Sequence, residues 1–476
     1  MTLVDGRPLL QRTPHVLRPD PSRVVSTPFL PGEEIHGAGL SRRAVVLARL
    51  LALPDDQVDT ALIDVLTSFS ARHDDLVELL DERFALVARH VEGADGLSLE
   101  RRRLIGACMS QEYAIESAAL FNPSMVAHPD QSRLPAGSTR FVMSVRGVGE
   151  GHVSCVELRT GVVDAADVVT LDAPGPTTSV AVRHGIEHAR DELLRQNEEL
   201  AGDPADAAAR LRALPASFTA AAVEGSPRLA WLASCSYDAT FETASSVDSR
   251  VLLPGSPAER NGIEDLRLVE VEHTEGQRGY LGTYTAFDGE SVAPHLVATD
   301  DFTTFRMRRL SGPGAKNKGM ALFPRRVGGQ YLALSRWDRE SNSLAASTDL
   351  LHWEDLGTLS APVWAWEIIQ VGNCGSPIET PEGWLVLTHG VGPMRQYGIG
   401  AMLLDLDDPR RVRGSLRSPL LTPTAEERDG YVPNVVYTCG ALLHGDTLVL
   451  PYGCSDAAIR VALVDVPQLL TQILAG

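Results

Sequence analysis

The sequence has few of the features that mark several classes of protein. Its six cysteines form no CxxC pair and lie apart from the histidines, which argues against both a zinc site and a disulfide framework. No apolar run approaches the roughly 18 residues that span a bilayer, and no basic segment followed by a short apolar stretch opens the chain. We therefore expect a cytoplasmic protein that holds no metal and keeps its cysteines as buried thiols.

Positive charge is also scarce, since 43 Lys and Arg face 62 Asp and Glu and give a net charge of -19. This balance favours solubility and argues against nucleic acid or an anionic membrane as a partner. An anionic substrate would need a local basic pocket. At 476 residues the chain could hold two or three average domains, or one large all-β fold with additions.

The pattern of apolar residues divides the chain. Residues 1–40 are rich in Pro, Gly and Arg and predict an extended surface arm without a functional signal. Apolar residues then recur at helical spacing from 41 to about 120, and short strands follow from 121 onward. A helical insertion is predicted at about 181–214, with strands resuming after 229. The predicted domains are a helical N-terminal extension, 1–118, and a catalytic β domain, 119–476.

Three polar residues lie near the end of the helical block, namely Glu112, Tyr113 and Glu116. They could face a pocket, but helix surfaces carry Glu routinely, and we interpret them as surface residues.

The strands after residue 229 repeat. Residues 299–305 match 347–353, residues 385–390 match 448–453, and residues 401–405 resemble 461–465. Repeats at separations of roughly 50 to 60 residues, each with three or four short strands, are typical of propeller blades. One unit at 119–173 and four between 229 and 470 predict an all-β five-bladed β-propeller, with the helices as an N-terminal extension and an insertion.

One stretch, residues 259–289, carries charges where a turn passes into an alternating strand. Glu264, Asp265 and Arg267 lie at the mouth of that strand. A solvated turn with Arg267 paired to a carboxylate would explain them. A general acid held beside a cation is the alternative.

In a propeller, polar residues at equivalent positions of different blades meet in one central pocket. The candidates, in chain order, are Arg146, Glu150, His152, Asp265, Arg267, Asn317, Lys318, Arg336, His389, Tyr397, Tyr452 and Asp456. Each alone is compatible with an ordinary surface or turn residue. Together they predict a pocket with surplus positive charge, which suits a phosphate.

Four ordered motifs resemble glycoside hydrolase family 130. They are Asn-Gly-Ile-Glu-Asp-Leu-Arg (261–267), Lys-Asn-Lys-Gly-Met-Ala-Leu-Phe-Pro (316–324), the segment 375–391 with Thr-His-Gly-Val, and Tyr-Val-Pro-Asn-Val-Val (431–436). Residues 121–124 and 141–159 also resemble that family's first blade. The resemblance implies a five-bladed propeller that acts on β-mannosides.

The resemblance also implies roles for single residues. Asp265 matches the general-acid position, and sugar-binding positions are expected at Asn122, Arg146, Arg267, Asn317 and Asp456. The phosphate-binding positions match Lys318, Arg336, His389 and Tyr397. Two residues depart from the pattern: Leu266 replaces a frequent Pro, and Gln370 replaces a Lys of several phosphorylases.

We predict inverting phosphorolysis of β-mannosides to α-mannose 1-phosphate, with inorganic phosphate as co-substrate and no cofactor. Phosphate arrives already anionic and needs cations, whereas a hydrolase needs a second carboxylate to activate water. A β-mannosidase with Glu150 as base is the alternative, and a propeller that only binds glycans or proteins is a third reading. Glu264 and Asp288 could hold sugar hydroxyls. The linkage, the acceptor sugar and the oligomeric state, a homo-oligomer included, stay open.

Overall fold

The computed structural model describes residues 8–32, 35–36, 40–272 and 278–475. The described chain forms two compact units. One contains residues of 20–117 and 175–179, and the other contains residues of 1–19, 118–174 and 180–476.

The smaller unit is mainly helical, as the periodicity predicts. Its elements are β2 Val24–Pro28, β3 Ile35–His36, β4 Leu40–Ser41, α1 Arg42–Ala52, α2 Asp55–Phe69, α3 Leu76–Val87, α4 Leu99–Cys108 and β5 Ser110–Ala114. Side-chain oxygens of Ser41, Asp75 and Ser98 accept a backbone N–H at the start of α1, α3 and α4, which satisfies donors that a helix leaves free. These caps fix where the helices begin.

The end of the helical block differs from the prediction. The last helix, α4, ends at Cys108, and Glu112 and Tyr113 lie on β5, which pairs with β2. Glu116 was expected at the surface but is only 1% exposed, and Arg23 Nε lies 3.3 Å from its Oε1. The surface interpretation of Glu116 is wrong because a cationic partner allows a carboxylate to be buried.

The larger unit is mostly β-sheet, built from five successive antiparallel groups of strands. The first group is β6 Ala119–Ala127, β7 Thr139–Val148, β8 Ser154–Val163 and β9 Val169–Leu171, and the second is β16 Gly262–Glu272, β17 Arg278–Phe287, β18 Val292–Thr299 and β19 Thr304–Arg309. These two groups belong to one 12-stranded sheet, in which β8 and β16 pair in parallel at Ser154 and Gly262. The third is β20 Ala321–Leu322, β21 Tyr331–Ser335, β22 Asn342–Ser347 and β23 Glu354–Ser360. The fourth is β24 Gln370–Asn373, β25 Ile378–Thr380, β26 Gly383–Val391, β27 Tyr397–Leu404 and β28 Val412–Ser415.

The fifth group takes a strand from the other end of the chain. It contains β29 Val436–Tyr437, β30 Leu442–His444, β31 Thr447–Cys454 and β32 Ala458–Asp465, and the strand β1 Leu10–Leu17 pairs antiparallel with β32. The predicted N-terminal arm is therefore extended, but this part of it is a sheet strand rather than a surface segment. The helix α8, Val466–Ala475, follows β32 and packs with its apolar side among the strands of the fourth and fifth groups.

The predicted insertion is only partly helical. Residues 179–189 hold the short strands β10 Ser179–Val180, β11 Val182–His184 and β12 Glu187–Ala189, and the helices are α5 Arg190–Glu199, α6 Ala205–Arg212 and α7 Pro227–Ser234. The remaining strands of this region are β13 Ser217–Thr219, β14 Tyr237–Thr240 and β15 Arg250–Leu252. Strands thus resume at Tyr237 rather than after Leu229, because Pro227 begins a further helix, as a proline at the first helical position can.

Apolar cores lie between neighbouring groups of strands. One core joins residues of the first and second groups, among them Val156, Leu268 and Met307. Another joins the fourth and fifth groups through Leu387, Leu403 and Leu450. Both faces of these strands are buried, and they carry buried polar residues such as Glu157, Arg267 and Thr283 beside the apolar ones.

Candidate active site

One cavity of about 700 Å³ opens in the larger unit. Nine of the ten residues predicted for the site line it: Asn122, Arg146, Asp265, Asn317, Lys318, Arg336, His389, Tyr397 and Asp456. They come from all five groups of strands and the loops between them. The structure thus places in one cavity residues that are far apart in sequence.

Left-handed backbone positions aim several of these side chains. Asn122 and Asp265 have φ of 49° and 54°, and each lies where strand pairing is interrupted, in β6 and in β16. Asn317 and Asp456 also have positive φ, 61° and 50°. Asn and Asp tolerate this conformation better than other residues that carry a Cβ, and a bulge redirects a side chain out of the strand's alternation. A left-handed backbone conformation is therefore shared by the four Asn and Asp residues that line the cavity.

Asp265 is held through one of its oxygens. Its Oδ1 accepts a hydrogen bond from Asn122 Nδ2 at 2.7 Å and one from Arg146 Nη1 at 3.1 Å. Burial alone would raise the pKa of Asp265, but the charges of Arg146, Arg267 and Lys318 and the bond from Asn122 outweigh burial and hold it well below its usual range. Among the described residues Oδ2 has no partner, so this oxygen is available to a substrate hydroxyl.

Glu264 binds two of the three cations whose charges act on Asp265. Arg146 Nη2 donates to Glu264 Oε1 at 2.7 Å, and Lys318 Nζ donates to Oε2 at 2.8 Å. The ring of Phe121 lies 4.9 Å from the Arg146 guanidinium and packs against it. Glu264 therefore positions Arg146 and Lys318. The sequence had suggested a carboxylate partner for Arg267, but the described residues show no ion pair between Glu264 and Arg267.

Arg267 is the one predicted site residue that does not line the cavity. It is 1% exposed and donates to the carbonyl oxygens of Cys374 and Asp265 and to the Tyr437 hydroxyl, at 2.7, 2.8 and 2.9 Å. The bulge at Asp265 turns Arg267 away from the cavity lining, and its contact with sugar stays a prediction. Arg267 supports the backbone that carries Asp265.

Asp456 is a second carboxylate in the cavity, and its pKa is shifted in the opposite direction from that of Asp265. Burial and the negative charge of Asp265 raise the pKa of Asp456 to about 6, against the lowering effect of Arg146 and Arg395. The two carboxylates thus have pKa values pushed apart, which is typical of sites where one group is ionised and the other holds a proton.

The raised pKa of Asp456 predicts a pH-dependent stability. The folded protein binds this proton more tightly than the unfolded chain, whose Asp has a pKa of 3.8. Stability is therefore lost as pH rises from about 4 through about 6. We expect Asp456→Asn to gain stability relative to the wild type between pH 4 and pH 7, measured by urea denaturation. A difference that does not change with pH would contradict this, and Asp407→Asn, at an exposed position, is the control.

A second part of the cavity is suited to an anion. His389 and Tyr397 stack with ring centroids 6.0 Å apart and planes within 4°, and Gln370 Nε2 lies 3.3 Å from His389 Nε2. Arg336 lines the same cavity, and its Nε is buried without a partner among the described residues. Burial, with the charges of Arg336 and Arg267, lowers the pKa of His389 well below its usual value. His389 is therefore neutral at pH 7 and offers a hydrogen bond rather than a charge.

Four further residues considered from the sequence, Glu150, His152, Asp288 and Tyr452, lie outside the cavity lining. Glu150 and His152 lie in a short turn after β7, where Tyr431 stacks on His152 with centroids 5.7 Å apart. Tyr452 is fully buried and donates to Glu427 Oε1 at 2.7 Å. Asp288, a suggested sugar ligand, accepts the N–H groups of Glu290 and Ser291 within its own loop.

The cavity also contains residues that sequence reasoning missed. They are Phe121, Glu290, Ser291, Val292, Arg339, Arg395, Val432, Val435 and Tyr437. Arg339 and Arg395 follow or precede predicted site residues by two or three positions, in turns without periodicity. Proximity to Arg336 and Tyr397 was the only signal that could have identified them.

Within the described residues no group of three or more His, Cys, Asp or Glu side chains is arranged to hold a metal ion. A search of the same residues finds no helix with the length and apolar character needed to cross a membrane.

A mostly β fold with a buried carboxylate beside several cations in one polar cavity is typical of enzymes that cleave sugars. A family model described as beta-1,4-mannooligosaccharide phosphorylase, that of glycoside hydrolase family 130, matches residues 235–474. The chain belongs to glycoside hydrolase family 130.

Similar proteins carry related names. A 1,2-beta-oligomannan phosphorylase of Thermoanaerobacter sp. (strain X514) is 32% identical over 232 residues, 47% of this chain and 75% of that protein. A beta-1,2-mannobiose phosphorylase of Listeria innocua is 33% identical over 230 residues, 47% of this chain and 63% of that protein. The solved structure of a Listeria innocua beta-1,2-mannobiose phosphorylase aligns with a TM-score of 0.46 at 22% identity, over 76% of this chain and 94% of that one.

Proposed function

We propose that the protein is an inverting phosphorylase that cleaves β-mannosides, mainly manno-oligosaccharides, and releases α-mannose 1-phosphate. The observation that carries the proposal is a cavity with two distinct parts, a carboxylate held by cations at Asp265 and an anion-binding part at Arg336, His389 and Tyr397. The names of the relatives, all mannoside phosphorylases, support it.

The proposed reaction assigns one task to each part. A phosphate oxygen attacks the anomeric carbon and forms the new C–O bond on the face opposite the leaving group, so the configuration inverts. The glycosidic C–O bond breaks, and the leaving oxygen receives a proton that originates on Asp265. Asn122, Arg146 and Asp456 hold the mannose hydroxyls, while Lys318, Arg336, His389 and Tyr397 hold the phosphate.

The low pKa of Asp265 suits this sequence of events. A group must carry a proton to act as an acid, and Lys318 is one of the cations that keep Asp265 ionised. When phosphate brings two negative charges to Lys318 and Arg336, the net positive field at Asp265 falls and its pKa rises. Phosphate binding would thus prepare the acid as well as supply the nucleophile.

We further propose that the five groups of strands are the blades of a five-bladed propeller and that the catalytic domain begins near residue 119. The cavity takes residues from all five groups, as an axial pocket would. In this arrangement β1 completes the sheet of the fifth blade from the N-terminal side of the chain.

A β-mannosidase is the second candidate, favoured by the neutral Gln370 beside His389. A hydrolase needs a carboxylate base that faces the cavity. Glu290 lines the cavity, and Glu150 does not. We prefer the phosphorylase because Arg336 faces no carboxylate among the described residues. The reaction needs no cofactor beyond inorganic phosphate, and a cytoplasmic location would retain the phosphorylated product.

Arg336→Ala tests the proposal. It deletes a phosphate ligand, so the KM for phosphate should rise about 10-fold to 100-fold, while slow hydrolysis by water stays the same or rises. Initial rates with β-mannobioses of different linkage, with and without phosphate, measure both. Arg410→Ala is the matched control, since Arg410 is exposed and paired with Asp408. Turnover of the unmutated enzyme without phosphate would falsify the phosphorylase assignment and favour the hydrolase.

A further inference from the structure

Arg395 lies in the five-residue connection, 392–396, that joins β26 to β27. Within this connection Gln396 N donates to Pro393 O at 3.3 Å, so Met394 and Arg395 are the central residues of a tight turn. The φ of Arg395 is 54° and that of the preceding Met394 is 57°, and Gly392 N donates to Gln396 O at 3.0 Å across the turn. Both central residues of such a turn take left-handed backbone, for which Asn-Gly is the usual pair. Met-Arg is therefore an unfavourable choice for the turn itself, and the side chains must contribute something else.

The Arg395 side chain points to the anion-binding part of the cavity. Its guanidinium carbon lies 5.9 Å from the centre of the Tyr397 ring, and the ring in turn stacks on His389. Arg395 lines the same cavity as Arg336, and its charge reaches Asp456, whose pKa burial and Asp265 raise and Arg395 helps to lower. Arg395 thus lies between the anion-binding part and the sugar-binding part.

The other cations of the cavity are engaged by protein groups. Arg146 and Lys318 form ion pairs with Glu264 at 2.7 and 2.8 Å, and Arg339 Nε donates to Asn317 Oδ1 at 3.0 Å. Within the described part of the chain, Arg336 and Arg395 have no carboxylate partner. The charge of Arg395 is offset only in part, by Asp456 at longer range, and Arg339 adds a third guanidinium whose side-chain partner is a neutral amide. Positive charge beside a neutral histidine therefore suits this part of the cavity to an anion.

We propose that Arg395 is a direct phosphate ligand, which closes on the anion from the side opposite Arg336 above the stacked rings of His389 and Tyr397. The inference rests on the proposed phosphorylase function and names a residue outside the motifs from which the site was predicted. A guanidinium presents two parallel N–H donors to two phosphate oxygens and so orients the third toward the sugar. Arg395 would also bring a positive charge to the stacked rings of His389 and Tyr397, beside which Gln370 is neutral.

The test is Arg395→Asn, because Asn keeps the left-handed turn and removes only the guanidinium. The KM for phosphate should rise about 10-fold or more, with the KM for the mannoside changed less than about 2-fold and thermal stability not lowered. Titration calorimetry with inorganic phosphate alone should show the same loss of affinity. Met394→Asn changes the neighbouring turn residue in the same way and should leave phosphate affinity unchanged. Arg395→Lys keeps the charge and should lose less than Arg395→Asn.

The possible failures are distinguishable. If Arg395→Asn binds phosphate as the wild type does, Arg395 is not a ligand and this inference is wrong, while the phosphorylase function stands. If instead the KM of the acceptor sugar rises in the synthetic direction and that of mannose 1-phosphate does not, Arg395 binds the leaving group. If the wild type turns over without phosphate, the proposed function itself fails first.

Discussion

Replacement of Asp265 by Asn is expected to lower turnover of a β-mannobiose about 100-fold or more, because the variant keeps the size and the hydrogen bond from Arg146 but cannot donate the acid proton. The bond from Asn122 survives if the new amide presents its oxygen to Nδ2. The fold should persist with some loss of stability, because the cations that hold the pKa of Asp265 low lose their counter-charge. Phosphorolysis rates with purified variant and wild type measure the effect.

A second substrate can distinguish loss of the acid proton from loss of sugar orientation by Asp265. A 4-nitrophenyl β-mannoside releases a phenolate that needs little protonation, so Asp265→Asn should lose far less activity on it than on the mannobiose. An equal loss on both substrates would show that Asp265 orients the sugar rather than protonating the leaving oxygen. Asp407→Asn, the same chemical change at an exposed site, should behave as the wild type.

Arg267→Met should have the largest effect on stability. The side chain is fully buried and satisfies two carbonyl oxygens and the Tyr437 hydroxyl. Removing it leaves those acceptors buried without donors and takes a positive charge away from Asp265, which should cost about 3–5 kcal/mol of the free energy of unfolding. Because methionine keeps most of the side-chain volume, the decrease in the free energy of unfolding measures the lost hydrogen bonds and charge rather than a cavity.

Urea denaturation followed by tryptophan fluorescence measures this loss, with Arg410→Met as the control at an exposed arginine. A denaturation midpoint equal to that of the wild type would show that water or a rearranged Tyr437 satisfies the freed carbonyls. A fall in activity without a fall in stability would instead assign Arg267 to sugar binding, as the sequence suggested.

The contrast between Asp265 and Arg267 shows how far strand alternation carries a prediction. In a regular strand, residues two apart lie on the same face, so both were expected in the pocket. The bulge between Glu264 and Arg267 shifts that phase, and only Asp265 reaches the cavity. A single sequence contains no direct signal for a bulge, although Asn122 and Asp265 sit at matching ones.

Other features followed from local pattern and could be predicted. The helices of residues 42–108 carry caps and periodic apolar residues, and the repeated strands pointed to residues that converge. The pairing of β1 with β32 could not be predicted, because it joins Leu10 to Val464 and no local feature of either strand names its partner. The strands of 179–189 were missed because an amphipathic helical pattern continues on their C-terminal side.

The pairing of β1 with β32 has a consequence for biosynthesis. The strand β1 leaves the ribosome before β32, and because residues 18–457 lie between them, β1 stays without its partner until that long segment has been made. Closing so large a loop is slow, and until it happens β32 exposes an unpaired edge that other chains could join. The fifth sheet should therefore be the last to form and the first to aggregate when refolding is attempted at high concentration.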